Sequence, residues 1–200
     1  MAQITLGVMA MHSKNILHRD IKTQNIFITN HDILKIGDFG ISKQVETITP
    51  LAMTACGTPY FMPPEVCQGK PYDSKADVWA VGVILYELIT LRKPFDSDSI
   101  NGVFDKIVKS PLEPLPQSVD SGLKMLVAAL LNKNYSMRPN IFEVAQIPCV
   151  KRHILRFVEE YNLAEEVMPI FDITADRERE KPAVPEDTPT KAKAEEPEGI

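Results

Sequence analysis

From Asp77 to Thr90 the chain reads DVWAVGVILYELIT, and this stretch constrains the fold more than any other. Val78, Trp79, Val81, Val83, Ile84, Leu85 and Leu88 spread around nearly every side of a helix. A helix without a polar face is stable only where other elements surround it. The run is too short and too interrupted to span a bilayer, so those surroundings must be protein. The expectation is a buried helix over 75–90, opened by a capping box of Ser74 and Asp77, forming the spine of the core.

The remaining segments read as partners for that spine. Ile4, Val8 and Met11 fall on one stripe, the last turns of an amphipathic helix over 1–13. NIFI, the polar turn TNHD and ILKI read as two short strands joined tightly. From Asp38 to about Glu65 the apolar period disappears, and a loop of that length is functional or mobile. Helices are expected near 98–109 and 119–132, and Pro139–Asn140 opens another. VKRHILRFVEEYNLAEEV suggests one last helix reaching residue 168. The fold class is therefore α+β but mainly α. The chain divides into a domain over 1–168 and a tail over 169–200, whose mixed charges and prolines from Thr174 onward offer too little apolar surface to order it.

Composition narrows the partners. An apolar fraction of 44% with 24% charged residues is that of a soluble globular chain. The net charge of −5, with scattered lysines and arginines, argues against nucleic acid. Cys56, Cys67 and Cys149 form no C-x-x-C pair, which suits a reducing interior better than zinc or disulfides. The start lacks the basic and apolar regions of a signal peptide, so a cytoplasmic location without a membrane partner is expected.

The chemistry lies in HRDIKTQN, residues 18–25, and in GDFG, residues 37–40. Asp20 can accept a proton from a hydroxyl, Lys22 can neutralise a phosphate oxygen, and Asn25 can ligate a hard cation through its carbonyl. Asp38 follows Asn25 by thirteen residues and adds a carboxylate. Asp and Asn around a cation, with phosphates supplying further ligands, is how proteins hold Mg²⁺. Phosphoryl transfer asks mainly for alignment and opposite charge, which this set can supply.

In order and spacing these residues resemble the protein-kinase signature: His18-Arg19-Asp20, Asn25, Asp38-Phe39-Gly40, then Pro64-Glu65. The resemblance implies a kinase-like large lobe that uses ATP and Mg²⁺. Asp20 would be the base, Lys22 would touch the γ-phosphate, and Asn25 and Asp38 would hold the metal ions. Phe27 would lie under the adenine ring, although an apolar core-strand position explains it as well. Lys22 together with Thr58 in GTPYF implies a serine/threonine kinase. Arg19 implies activation by phosphorylation of the loop that begins at Phe39 and Gly40. Thr54 is the candidate there, ahead of Thr47 and Thr49; the alternative is that all three are ordinary loop threonines. A phosphate on Thr58 would crowd Asp20. Asp77 would brace the catalytic loop and Arg138 would pair with Glu65, unless they are an ordinary cap and a surface arginine.

DIKTQNIF, GDFGISK, GTPYFMPPEV and KPYDSKADVWAVGVILYEL are similar to the NIMA-related (Nek) kinases over residues 1–168. That implies protein substrates bearing Ser or Thr, among them cytoskeletal or cell-cycle proteins. Pro63 stands where the family has a small residue, which would stiffen the substrate-facing loop. The glycine-rich loop, the V-A-I-K lysine and its glutamate do not occur in these 200 residues. The expectation is a large lobe without its small lobe, with an apolar inter-lobe surface and activity near zero by itself. The alternative is a non-catalytic lobe that binds or regulates. A small-molecule kinase would leave the peptide-docking look of GTPYF unexplained.

Overall fold

The computed structural model describes residues 1–38 and 59–177, the side chains of 172–177 excepted. Its elements are α1 (Ala2–His12), β1 (Ile26–Ile28), β2 (Leu34–Ile36), α2 (Pro64–Cys67), α3 (Ser74–Thr90), α4 (Ile100–Lys109), α5 (Ser121–Leu130), α6 (Ile141–Gln146), α7 (Pro148–Glu160) and α8 (Ala164–Arg177). Short 3₁₀ turns lie at Thr23–Asn25 and Pro59–Phe61. The described residues are thus mainly helical with one small sheet.

α3 is the buried spine that its composition demands, with an unbroken buried run from Ala76 to Tyr86. Gly82 lets α5 approach: a Cβ there would stand 2.8 Å from Leu130 Cβ. Trp79 is fully buried and stacks on Phe95 at 5.8 Å between ring centres. Two expectations for this helix are corrected. The cap is Asp73, not a Ser74–Asp77 box: Asp73 has the extended backbone a cap needs, and its carboxylate accepts from the Lys75 amide at 2.8 Å. Leu88 is 60% exposed, because the last turn of α3 emerges from the core before Leu91 ends it at φ 57°.

α1 is not amphipathic. None of its residues is exposed, since α3, α6, α7 and β2 all pack around it. Asn140 opens α6 with a reciprocal capping box to Glu143. The single last helix expected from VKRHILRFVEEYNLAEEV is two helices. Asn162 adopts φ 54° between α7 and α8, a left-handed turn that asparagine tolerates and that stops the first helix. α8 also runs past the expected boundary at residue 168, and Phe171 is buried against the core.

β1 and β2 pair antiparallel in the register Ile26 with Ile36, Phe27 with Lys35 and Ile28 with Leu34. Asp32 turns the chain between them at φ 57°. Among the described residues no helix is long and apolar enough to cross a membrane, and Cys67 and Cys149 are free thiols.

Candidate active site

The loop from His18 to Asn25 hangs on a buried carboxylate in α3. Asp77 Oδ2 accepts the His18 amide at 3.0 Å and lies 2.8 Å from His12 Nε2. Its Oδ1 accepts the Arg19 amide at 3.0 Å and the Tyr72 hydroxyl at 2.7 Å. Burial alone would raise the Asp77 pKa. The bonds from His12, Tyr72 and the His18 amide outweigh that and hold the carboxyl below its ordinary value. Burial and the neighbouring Asp77 carboxylate push the Tyr72 phenol well above its own. Asp77 therefore fixes two consecutive amides of the loop, at the point where Arg19 takes a left-handed φ of 66°.

His18 joins this loop to the strand end. Its Nδ1 accepts the Asp20 amide at 3.3 Å, so the proton sits on Nε2, which donates to the Gly37 carbonyl at 3.0 Å. Gly37 returns its own amide to the Asn25 carbonyl at 2.9 Å. Bonded on both faces, Gly37 sets the start of Asp38, which is exposed at φ 62°. A Cβ on Gly37 would meet the Phe27 ring at 2.6 Å, so glycine is what allows that ring to lie across the backbone. Phe27 itself is 56% exposed, which removes the core-strand explanation and leaves its ring open on one face.

Within the loop the chemical groups converge. Lys22 Nζ donates to Asp20 Oδ2 at 2.6 Å, and Asn25 Nδ2 donates to the same oxygen at 2.9 Å and to the Asp20 carbonyl at 2.9 Å. Asn25 is buried, while Asp20 and Lys22 keep about a quarter of their side chains in solvent. With Nδ2 bonded to Asp20, Asn25 presents Oδ1 as its remaining oxygen, and Asp38 supplies a carboxylate one residue beyond Gly37. These hard oxygen donors fit a Mg²⁺ ion.

Arg138 and Glu65 meet 73 residues apart in a buried bidentate pair of 2.7 and 3.0 Å. Arg138 Nη1 and Nε also donate to the carbonyls of Lys75 and Asn132 at 2.9 and 3.1 Å, and the guanidinium lies over Trp79. The pair ties α2 to α3 and to the turn before α6. Pro63 begins α2 through its carbonyl, which accepts from Val66 and Cys67, and Pro64 at the first helical position needs no amide partner. Phe39, Gly40, Thr47, Thr49, Thr54 and Thr58 lie outside the described residues. Sequence reasoning missed His12, Tyr72 and Gly37; only Gly37 carried a signal, as the residue before Asp38.

Asp20, Lys22 and Asn25 thus form one hydrogen-bonded cluster, and the strand end bonded to Asn25 through Gly37 leads directly into Asp38. The description "Protein kinase domain" matches residues 1–150, and the chain belongs to that family. Within it, the chain is 39% identical to the serine/threonine-protein kinase Nek4 of Mus musculus over 157 residues, 78% of this chain and 20% of that protein. It is 38% identical to Nek5 of Homo sapiens over 165 residues, 82% of this chain and 23% of that protein. A putative serine/threonine-protein kinase A of Trypanosoma brucei brucei is 38% identical over 167 residues, 82% of this chain and 39% of that protein. The resemblance to Nek kinases read from the sequence thus holds, and the chain spans less than half the length of each of these relatives.

Proposed function

We propose that the described residues form the large lobe of a serine/threonine protein kinase. It transfers the γ-phosphoryl group of ATP to a Ser or Thr hydroxyl on a protein. The observation that carries this is the Asp20–Lys22–Asn25 cluster held beside Asp38 by the His18–Gly37–Asn25 bonds. In the reaction the acceptor oxygen forms a bond to the γ-phosphorus, the bond from that phosphorus to the β–γ bridging oxygen breaks, and ADP leaves. Asp20 orients the hydroxyl and takes its proton. Lys22, now paired with Asp20, turns its ammonium to the transferring phosphate. Asn25 and Asp38 would hold Mg²⁺, which when bound offsets phosphate charge. Phe27 offers its open face to the nucleotide base. We also propose cytoskeletal or cell-cycle proteins of the cytoplasm as substrates, on the resemblance to Nek kinases alone.

The 200 residues contain no G-x-G-x-x-G loop, and that favours a second reading for the chain acting alone, as a non-catalytic lobe that binds partners. One experiment addresses both. With Mg-ATP and a generic Ser/Thr substrate, these residues alone give turnover near zero. Joined to a glycine-rich small lobe from a related kinase they transfer phosphate, and Asp20→Asn lowers that rate by about 10²- to 10⁴-fold. Robust turnover by the 200 residues alone, lost in Asp20→Asn, overturns the need for a second lobe. Full turnover of the joined Asp20→Asn variant overturns the role of Asp20.

A further inference from the structure

Glu87 sits in the last turn of α3, and its carboxylate reaches the catalytic loop. Oε1 accepts Lys93 Nζ at 2.5 Å, and Oε2 lies 3.4 Å from the Thr23 hydroxyl, which it shares with Gln24 Oε1 at 3.3 Å. Thr23 directly follows Lys22, three residues beyond Asp20. On its other side Lys93 Nζ lies 4.5 Å from the centre of the Phe61 ring and 5.9 Å from that of Tyr60. Those two rings belong to the GTPYF stretch that reads as a peptide-docking loop. The ion pair thus bridges the loop that holds the acceptor base and the loop that docks the acceptor peptide. It is not sealed off: 19% of the Lys93 side chain and 26% of the Glu87 side chain remain in solvent.

We infer that Lys93 masks Glu87, and that this pair sets the charge preference for a substrate side chain flanking the acceptor Ser or Thr. This deepens the kinase reading and rests on it. A partly exposed carboxylate beside the acceptor would select a basic side chain by a charge-assisted hydrogen bond. Here that acceptor already has a cation, and the cation is held a second time by the faces of two rings. An arginine from a substrate would have to displace Lys93 and would gain little by doing so. An acidic side chain finds the ammonium already neutralised. The subsite is therefore indifferent to charge as built, and either partner removed alone gives it a sign.

Binding of fluorescent serine-centred peptides to the full 200-residue chain tests this, with Ala, Arg or Glu placed at one flanking position at a time. No nucleotide is added, so a chain that transfers no phosphate still reports, and failure of the kinase reading stays distinguishable. At the position that Lys93→Met alters, the wild-type chain binds the Arg and Glu peptides alike. Lys93→Met keeps an apolar stem on the rings and gains about fivefold for Arg over Glu at one position. Glu87→Gln shifts the same position toward Glu. The double variant returns to indifference, and Lys93→Arg leaves the profile unchanged. A Lys93→Met profile equal to wild type overturns the inference. So does a uniform loss of all peptides, which a merely structural pair would produce, or an Arg preference that survives in the double variant.

Discussion

Asp77→Asn replaces a carboxylate that accepts four hydrogen bonds with an amide that has one acceptor oxygen. If that oxygen faces His12 and the His18 amide, the new NH₂ faces the Arg19 amide and the Tyr72 hydroxyl. Tyr72 can rotate and accept, but a backbone amide cannot. In the flipped orientation the imidazole of His12 can accept from the NH₂, and the His18 amide is left facing it. Either way one buried backbone N–H loses its partner, at about 1–3 kcal/mol, and the three surviving bonds fall from charge-assisted to neutral strength. Relief from burying a charge offsets part of this, and the net loss is about 3–4 kcal/mol. For a domain of this size that lowers the melting temperature by about 10 °C. The pH dependence carries a second signature. The Asp77 carboxyl is held below its ordinary 3.8 in the folded state, so its contribution is fully present above about pH 4. It is lost as the pH falls through the folded value, and Asp77→Asn removes that part of the acid destabilisation. Urea denaturation followed by circular dichroism between pH 3 and pH 7 measures both. A loss below about 1 kcal/mol at pH 7, or an unchanged acid limb, would refute the claim that Asp77 holds the loop.

Three further outcomes follow from single contacts. Arg138→Lys keeps the charge but cannot form the fork to Glu65 while also reaching the Lys75 and Asn132 carbonyls; it lowers stability by about 3 kcal/mol in the same denaturation assay. Gly37→Ala drives a Cβ into the Phe27 ring and costs about 1–3 kcal/mol, whereas in a Phe27→Ala background the same change is nearly neutral, a non-additivity that a double-mutant cycle reads directly. Burial first, and the nearby Glu65 carboxylate second, push the Cys67 thiol up to about 12, so iodoacetamide at neutral pH leaves it unmodified in the folded protein and labels it only after unfolding, as peptide mass spectrometry would show.

What was legible in the sequence was what is local. Asp20, Lys22 and Asn25 fall within six residues, so their spacing nearly determines that they meet. The spine was legible because burial on every side leaves a composition that nothing else produces. The cap of α3 lies one residue before the Ser74 that the sequence suggests, since Asp73 and Ser74 both cap well and only the backbone angle at Asp73 chooses between them. The break between α7 and α8 does carry a signal, an asparagine inside an otherwise helical run, but the charged and apolar period continues across it and hides the break. His12 and Tyr72 were invisible for a different reason. They become site residues only because α1 and the turn before α3 bring them to one carboxylate, a tertiary fact that no spacing encodes.

That carboxylate, together with the bonds at Gly37, also accounts for the left-handed backbone of two site residues. Arg19 at φ 66° and Asp38 at φ 62° stand in the left-handed region, which costs about 1–2 kcal/mol for a residue with a side chain. Asn15, Asp32 and Asn162 share that region but lie in turns, where short polar side chains ease the strain. Arginine has no such relief, so its conformation persists only if its surroundings over-determine it. Asp77 fixes the His18 and Arg19 amides, His18 Nδ1 accepts the Asp20 amide beyond them, and Gly37, just before Asp38, is bonded at both its amide and its carbonyl. The two left-handed residues flank the Asp20–Asn25 cluster, one at its start and one across the hairpin. Relaxing either would rotate the chain that carries Asp20 or the carboxylate of Asp38. The position of the chemical groups is therefore set less by the loop itself than by Asp77, a carboxylate 59 residues beyond His18 on the central helix.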